Sequence, residues 1–218
     1  MAHVLILGMT LSGKTYKAKA LSRDYKKAGV GVLVLDPLQD PGWEADYITD
    51  DPEKFLAVFW KSRSCMAFMD ESGESVGRYD LAMQKTATRG RHWGHTCHYV
   101  SQRATQLAPL VRDQCTRLFL FCSSTKDGEV LSREWNRPEL EECSQLKQGE
   151  YFYAVKMGDI STNRSGVHGH SNDSGRAGNN GNRGARASEH ARKTEEVGDA
   201  DPETDPEADR RRGQVADS

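Results

Sequence analysis

The chain has 218 residues, enough for one ordinary domain and an appendage. Its formal net charge is −2, which excludes the global positive field of a basic nucleic-acid binder and leaves such contacts to local clusters. The five cysteines, Cys65, Cys97, Cys115, Cys122 and Cys143, form no Cys-x-x-Cys pair, so neither a disulfide framework nor a zinc ribbon is expected and a reducing cytoplasm fits. The first strand begins almost at residue 1, which leaves no room for a signal peptide. No apolar run approaches the roughly 20 residues of a membrane span. The expectation is a soluble protein that could dock on a membrane protein.

The apolar run 3–7 predicts a strand, and residues 16–27 predict a helix ended by Gly29. Between them lie Gly8, Met9, Thr10, Leu11, Ser12, Gly13, Lys14 and Thr15, which fill every fixed position of the Walker A pattern. The chemistry requires this order. Gly8 and Gly13 let the backbone curl until its N–H groups face a phosphate chain, and the helix N-terminus adds unpaired donors and a dipole. Lys14 would reach the β- and γ-phosphates of ATP, and the Thr15 hydroxyl would ligate Mg²⁺.

Residues 30–35 predict a second strand, buried on both faces, that runs into Asp36 and Pro37. Asp36 has either a turn-forming or a site role. Residues 38–51 are loop-like, and 52–60 predict a helix with Asp51 as cap and Pro52 at its first position. The third strand, 64–69, ends in Asp70 and Glu71, the Walker B pattern. Asp70 would hold Mg²⁺ and Glu71 would polarise the attacking water. Polar residues 72–79 form a loop and 80–89 a helix. A strand over 96–101 delivers Gln102 to the edge that carries the Walker loops, where a polar side chain can sense a γ-phosphate. A short helix over 107–113, a strand over 117–122, a mixed helical region over 126–147 and a last edge strand over 150–155 complete the pattern. From about residue 158 Gly, Asn, Ser and Arg dominate, then acidic and basic runs. Such a tail buries too little apolar surface to offset the entropy of ordering it. The expected domains are 1–157 and a disordered 158–218.

Residues 88–95, Thr-Arg-Gly-Arg-His-Trp-Gly-His, precede a strand ending in Ser101-Gln102-Arg103, and Leu110 to Phe119 then carries Gln-Cys-Thr-Arg. This order of motifs, over residues 3–121, resembles the FtsK/HerA superfamily of P-loop translocases. A bare core of this length resembles the genome-packaging ATPases of tailless icosahedral phages with an internal membrane. The resemblance implies a RecA-like P-loop NTPase core, α/β, with a mainly parallel sheet flanked by helices. It implies a ring, hexameric in the family, that spends ATP with Mg²⁺ to drive viral double-stranded DNA into a preformed capsid. It further implies a capsid vertex or virion membrane protein as partner, in the host cytoplasm. By the same resemblance Gln102 is the sensor, and the arginine acting in trans falls on Arg91, then Arg112, then Arg89. Residues 73–78 and 89–95 are the candidate DNA-contacting segments, to the phosphate backbone and without sequence readout. The alternatives are a Zot-like filamentous-phage assembly ATPase, a small P-loop kinase, and a nucleotide-gated scaffold.

Overall fold

The computed structural model describes residues 3–71 and 80–164. Its centre is an eight-stranded sheet. The strands are β1 (His3–Leu7), β2 (Val32–Leu35), β3 (Tyr47–Thr49), β4 (Met66–Met69), β5 (Thr96–Ser101), β6 (Cys115–Phe121), β7 (Tyr151–Val155) and β8 (Ile160–Asn163), in spatial order β3-β2-β4-β5-β1-β6-β7-β8. The first six are parallel, and β7 and β8 close the sheet as antiparallel additions.

The apolar runs explain the layering. Successive side chains of a strand point to opposite faces. In β1, Leu5 and Leu7 enter one core with Leu33, Leu35, Met69, Tyr99 and Leu118, whereas Val4 and Ile6 enter another with Val34, Phe68 and Val100. Helix α1 (Lys14–Lys27) covers the second face through Ala18. The first face carries α2 (Pro52–Lys61), α3 (Leu81–Arg89), α4 (Pro109–Gln114) and α5 (Thr125–Trp135), through Phe55 and Phe59, Met83 and Ala87, Val111, and Leu131 and Trp135. Burial of each such side chain is worth about 1.5–3 kcal/mol, so a strand enclosed on both faces is held strongly. Helix α2 begins where the sequence places it: the Asp51 carboxylate accepts from the N–H groups of Glu53 at 2.8 Å and Lys54 at 3.2 Å, with Pro52 next to the cap.

Two boundaries differ from the sequence reading. Residues 38–51 contain β3, a three-residue edge strand pairing with Leu33 to Leu35. The edge strand on the other side is β8, not the strand over 150–155, and it lies where the sequence places the start of the tail. It exists because the chain turns at Lys156 to Asp159, with Gly158 N–H donating to Val155 O, and pairs back on β7. Tail residues 165–218 and the loop segment 73–78 lie outside the described residues. Among the described residues no helix is long and apolar enough to cross a membrane.

Candidate nucleotide site

Six parallel strands put all their C-terminal ends on one edge, the edge where open α/β sheets bind ligands. Gly8 follows β1, Asp36 follows β2, Asp70 and Glu71 follow β4, and Gln102 follows β5. Strand β5 lies between β1 and β4, so Gln102 emerges between the glycine loop and the acidic pair.

The glycine loop is anchored from three sides. Gly8 N–H donates to Ser101 O at 3.3 Å, Met9 N–H to Cys122 O at 2.9 Å, and Gly149 N–H to Ser12 O at 2.9 Å. Both glycines are required by geometry. A Cβ on Gly8 would lie 2.5 Å from Ser12 Oγ and 2.7 Å from Phe121 Cβ. Gly13 has φ +110° and is the N-cap of α1, without a side-chain cap. Among the described residues no acceptor meets the N–H groups of Thr10, Leu11, Gly13, Lys14, Thr15 or Tyr16. Ser12 Oγ is buried and likewise has no partner among them. Donors without acceptors at a helix N-terminus fit the triphosphate of a nucleotide.

Lys14 is buried at the loop's end, 6 % exposed, with its Nζ 3.6 Å from Glu71 Oε1. Gln102 Nε2 donates to the other oxygen, Glu71 Oε2, at 3.2 Å. Glu71 sits at φ +46°, a left-handed conformation that costs a non-glycine residue about 1–3 kcal/mol, and its N–H donates to Asp70 Oδ1 at 2.9 Å. Asp70 is 4 % exposed. Burial above all pushes its carboxyl up to about 6. The Glu71 N–H pulls the other way, while the carboxylates of Glu71 and Asp36 push further up. Asp70, a buried acid among other acids, and the Thr15 hydroxyl on the first turn of α1 are the residues that could hold Mg²⁺ at this edge. Asp36 belongs to its own turn: it accepts from Leu38 N–H, Asp40 N–H and Trp43 Nε1 at 3.0, 2.8 and 3.0 Å.

The arginines are distributed differently from the expectation. Arg91 and Arg89 do not share the edge of Lys14 and Glu71. The turn Gly90–Trp93 precedes β5, so it lies at the N-terminal edge of a parallel sheet. Arg91 is exposed and donates to Gln114 Oε1 at 2.6 Å, just before β6. It also lies near the start of β1: burial first, then the Arg91 charge, pushes the His3 imidazole down to about 4. Arg112 is a packing residue. Its guanidinium is buried, pairs with both oxygens of Glu134, and donates to the carbonyls of Ala104 and Leu107. That burial removes Arg112 as a group able to reach a second subunit. At the nucleotide edge stands Arg103 instead, half-exposed, with Nε 3.5 Å from the buried Asp127.

Sequence reasoning missed the segment that braces the loop from the β7 side. Gln148 Nε2 donates to Leu11 O at 3.0 Å, and Gly149 carries the N–H bond to Ser12. The turn Lys147-Gln148-Gly149-Glu150 carries no pattern of its own. Only the placement of β7 beside β6 brings it to the loop.

The fold, with its glycine loop at this edge, is that of a P-loop NTPase core. No family model and no curated protein matches the sequence. Among solved structures the chain is similar to the genome-packaging NTPase B204 of Sulfolobus turreted icosahedral virus 2, in complex with AMPPCP, with TM-score 0.65 and 17 % identity over 76 % of this chain and 98 % of that one. It is also similar to the pCW3 conjugation coupling protein TcpA with ATPγS (TM-score 0.57, 15 % identity, 74 % of this chain and 59 % of that). VirB4 of Thermoanaerobacter pseudethanolicus gives TM-score 0.55 at 12 % identity, over 76 % of this chain and 89 % of that one. These neighbours are P-loop ATPases of the FtsK/HerA type, the group that residues 88–121 resemble in sequence.

Proposed function

We propose that the chain is an ATP-driven translocase that packages viral double-stranded DNA into a preformed capsid. The observation that carries the chemical half of this reading is the convergence of Lys14, Glu71 and Gln102 beneath a loop of unpaired N–H donors. The fold shared with a genome-packaging NTPase along 98 % of that protein's length supports the biological half.

The triphosphate lies along residues 8–15. Lys14, paired with Glu71 in the free site, exchanges that partner for the β- and γ-phosphates. Glu71 is thereby released to accept a proton from the attacking water, with Gln102 holding its second oxygen. Asp70 and Thr15 would hold Mg²⁺, which when bound neutralises phosphate charge and orients the chain. Loss of the γ-phosphate returns Lys14 to Glu71 and changes what Gln102 meets, a local exchange able to bias the Ser101-Gln102-Arg103 segment. Arg91 sits on the edge remote from its own nucleotide, so its catalytic role is in trans, to the site of the next subunit of a hexameric ring. Exposed Arg89 and His92 beside it contact the DNA backbone. The ring works in the host cytoplasm at a capsid vertex or on a virion membrane protein.

Mass photometry of Glu71→Gln with Mg-ATP and linear double-stranded DNA tests the ring. A hexamer that forms on DNA is expected. A chain that stays monomeric at every nucleotide and DNA concentration overturns the translocase reading.

A further inference from the structure

Gln102 reaches Glu71 through a flexible side chain, so its aim depends on how firmly the backbone beneath it is held. On the N-terminal side the sheet holds it: Ser101 ends β5, and its carbonyl accepts from Gly8 N–H at 3.3 Å. On the C-terminal side the chain leaves the sheet through Arg103 and enters the short turn Ala104–Gln106. There a buried carboxylate from another element takes over. Asp127, on the first turn of α5, is 1 % exposed and accepts from Ala104 N–H through Oδ1 at 3.1 Å. Its Oδ2 accepts from the Ser124 and Ser123 hydroxyls at 2.6 and 3.3 Å and lies 3.5 Å from Arg103 Nε. Arg103 Nη2 donates in turn to Ser124 Oγ at 3.3 Å. The two residues that follow Gln102 are thus both tied to Asp127, Arg103 by its side chain and Ala104 by its backbone.

Starting α5 does not require this arrangement. Ser124 already caps the helix, its Oγ accepting from Asp127 N–H at 3.2 Å. In a capping box the residue at the third helical position reaches back to the N–H of the cap. Asp127 holds that position, yet its oxygens serve the segment after β5. We propose that Asp127 is the positioning residue of the Gln102 sensor: with Arg103 it fixes the turn after β5 and so keeps the Gln102 amide on Glu71 Oε2. This rests on the reading of Glu71 and Gln102 as base and sensor of an ATPase. Asp127 and Arg103 act through Gln102 and not on the nucleotide. The anchors of the glycine loop are Ser101 O, Cys122 O and Gly149 N–H, so loosening Asp127 acts on turnover and spares binding.

A double-mutant cycle on steady-state ATP hydrolysis by the full chain tests this. Asp127→Asn and Arg103→Gln are each made in the native chain and in Gln102→Ala, and kcat and KM are measured separately. In the native chain each is expected to lower kcat about five- to tenfold with KM within about twofold, and in Gln102→Ala each is expected to change kcat by less than about twofold. A merely structural Asp127 would lower kcat by the same factor with or without Gln102, and that result overturns the proposal. So does an unchanged kcat in Asp127→Asn, or a change confined to KM. Arg103 is half-exposed, so Arg103→Gln decides the matter by the same criteria where Asp127→Asn does not fold. A native chain that hydrolyses ATP at the same rate as Gln102→Ala overturns the sensor and this proposal together. A native chain without hydrolysis overturns the ATPase reading itself.

Discussion

Gln102 and Glu71 are 31 positions apart in the chain, yet Gln102 Nε2 donates to Glu71 Oε2 at 3.2 Å. The bond spans two adjacent parallel strands: Glu71 lies two residues past the end of β4, and Gln102 directly follows β5. Because Lys14 lies against the opposite oxygen of the same carboxylate, Glu71 is held between the ammonium at the end of the glycine loop and the amide at the tip of β5.

Removing the carboxylate separates binding from chemistry. Glu71→Gln is expected to bind Mg-ATP at least as well as the native chain and to lose hydrolysis by about 10²–10⁴-fold, the contribution of a positioned general base. Gln102→Ala leaves the base present but untethered, so kcat is expected to fall by roughly 10- to 100-fold with KM little changed. Steady-state hydrolysis beside equilibrium nucleotide binding checks both.

The buried Asp70 sets a pH dependence. Its folded pKa of about 6 lies above the 3.8 of a free aspartate, so between those values the folded chain holds a proton there that the unfolded chain releases. The associated stability is present below about pH 4 and lost as pH rises through about 6. That difference corresponds to roughly 3 kcal/mol against folding at neutral pH. Asp70→Asn is therefore expected to raise the Tm of the nucleotide-free protein by roughly 5–10 °C at pH 7.5 and much less at pH 4, while abolishing Mg²⁺-dependent hydrolysis. Thermal melts at the two pH values, without nucleotide, show whether the gain disappears in acid.

The arginines are expected to divide by stability. Arg112→Ala leaves two carbonyls and Glu134 without their partner and should cost about 2–4 kcal/mol, read as a lower urea midpoint. Arg91→Ala removes one exposed hydrogen bond to Gln114, so stability should change by no more than about 0.5 kcal/mol. If Arg91 acts in trans as proposed, Lys14→Ala and Arg91→Ala subunits, each inactive alone, should recover part of the hydrolysis when mixed. No recovery at any ratio would remove Arg91 from the shared site.

Crowding fixes the glycine loop. Gly8→Ala places a methyl 2.5 Å from Ser12 Oγ and 2.7 Å from Phe121 Cβ, and the loop has to shift. A loss of about 1–3 kcal/mol is expected, with nucleotide affinity falling in parallel, by chemical denaturation and by calorimetry.

The sequence displays what chemistry dictates residue by residue. A triphosphate cradle needs glycine at two fixed places and Lys-Thr after the second, so residues 8–15 were legible, as were the apolar run into Asp70 and Glu71 and the strand ending at Gln102. Elements held by position alone were not legible. Strand β8, Ile-Ser-Thr-Asn, is mostly polar because it is an edge strand, and it pairs through its backbone after a turn. The edge on which Arg91 stands was not legible from its motif alone: a segment that enters a parallel strand lies at the edge opposite the one that leaves it, so Arg91 and Gln102 flank the same strand on opposite edges. Arg112 sits on a six-residue helix, too short for periodicity to reveal that its guanidinium faces inward.

The central claim is a nucleotide site coupled to double-stranded DNA. The most direct measurement is the steady-state rate of ATP hydrolysis by the purified chain without DNA, with linear double strands and with single strands, beside Glu71→Gln. Stimulation by double strands, lost in Glu71→Gln and weakening with added salt, is the predicted result. Hydrolysis indifferent to both forms of DNA would contradict the account and point to a small-molecule acceptor instead.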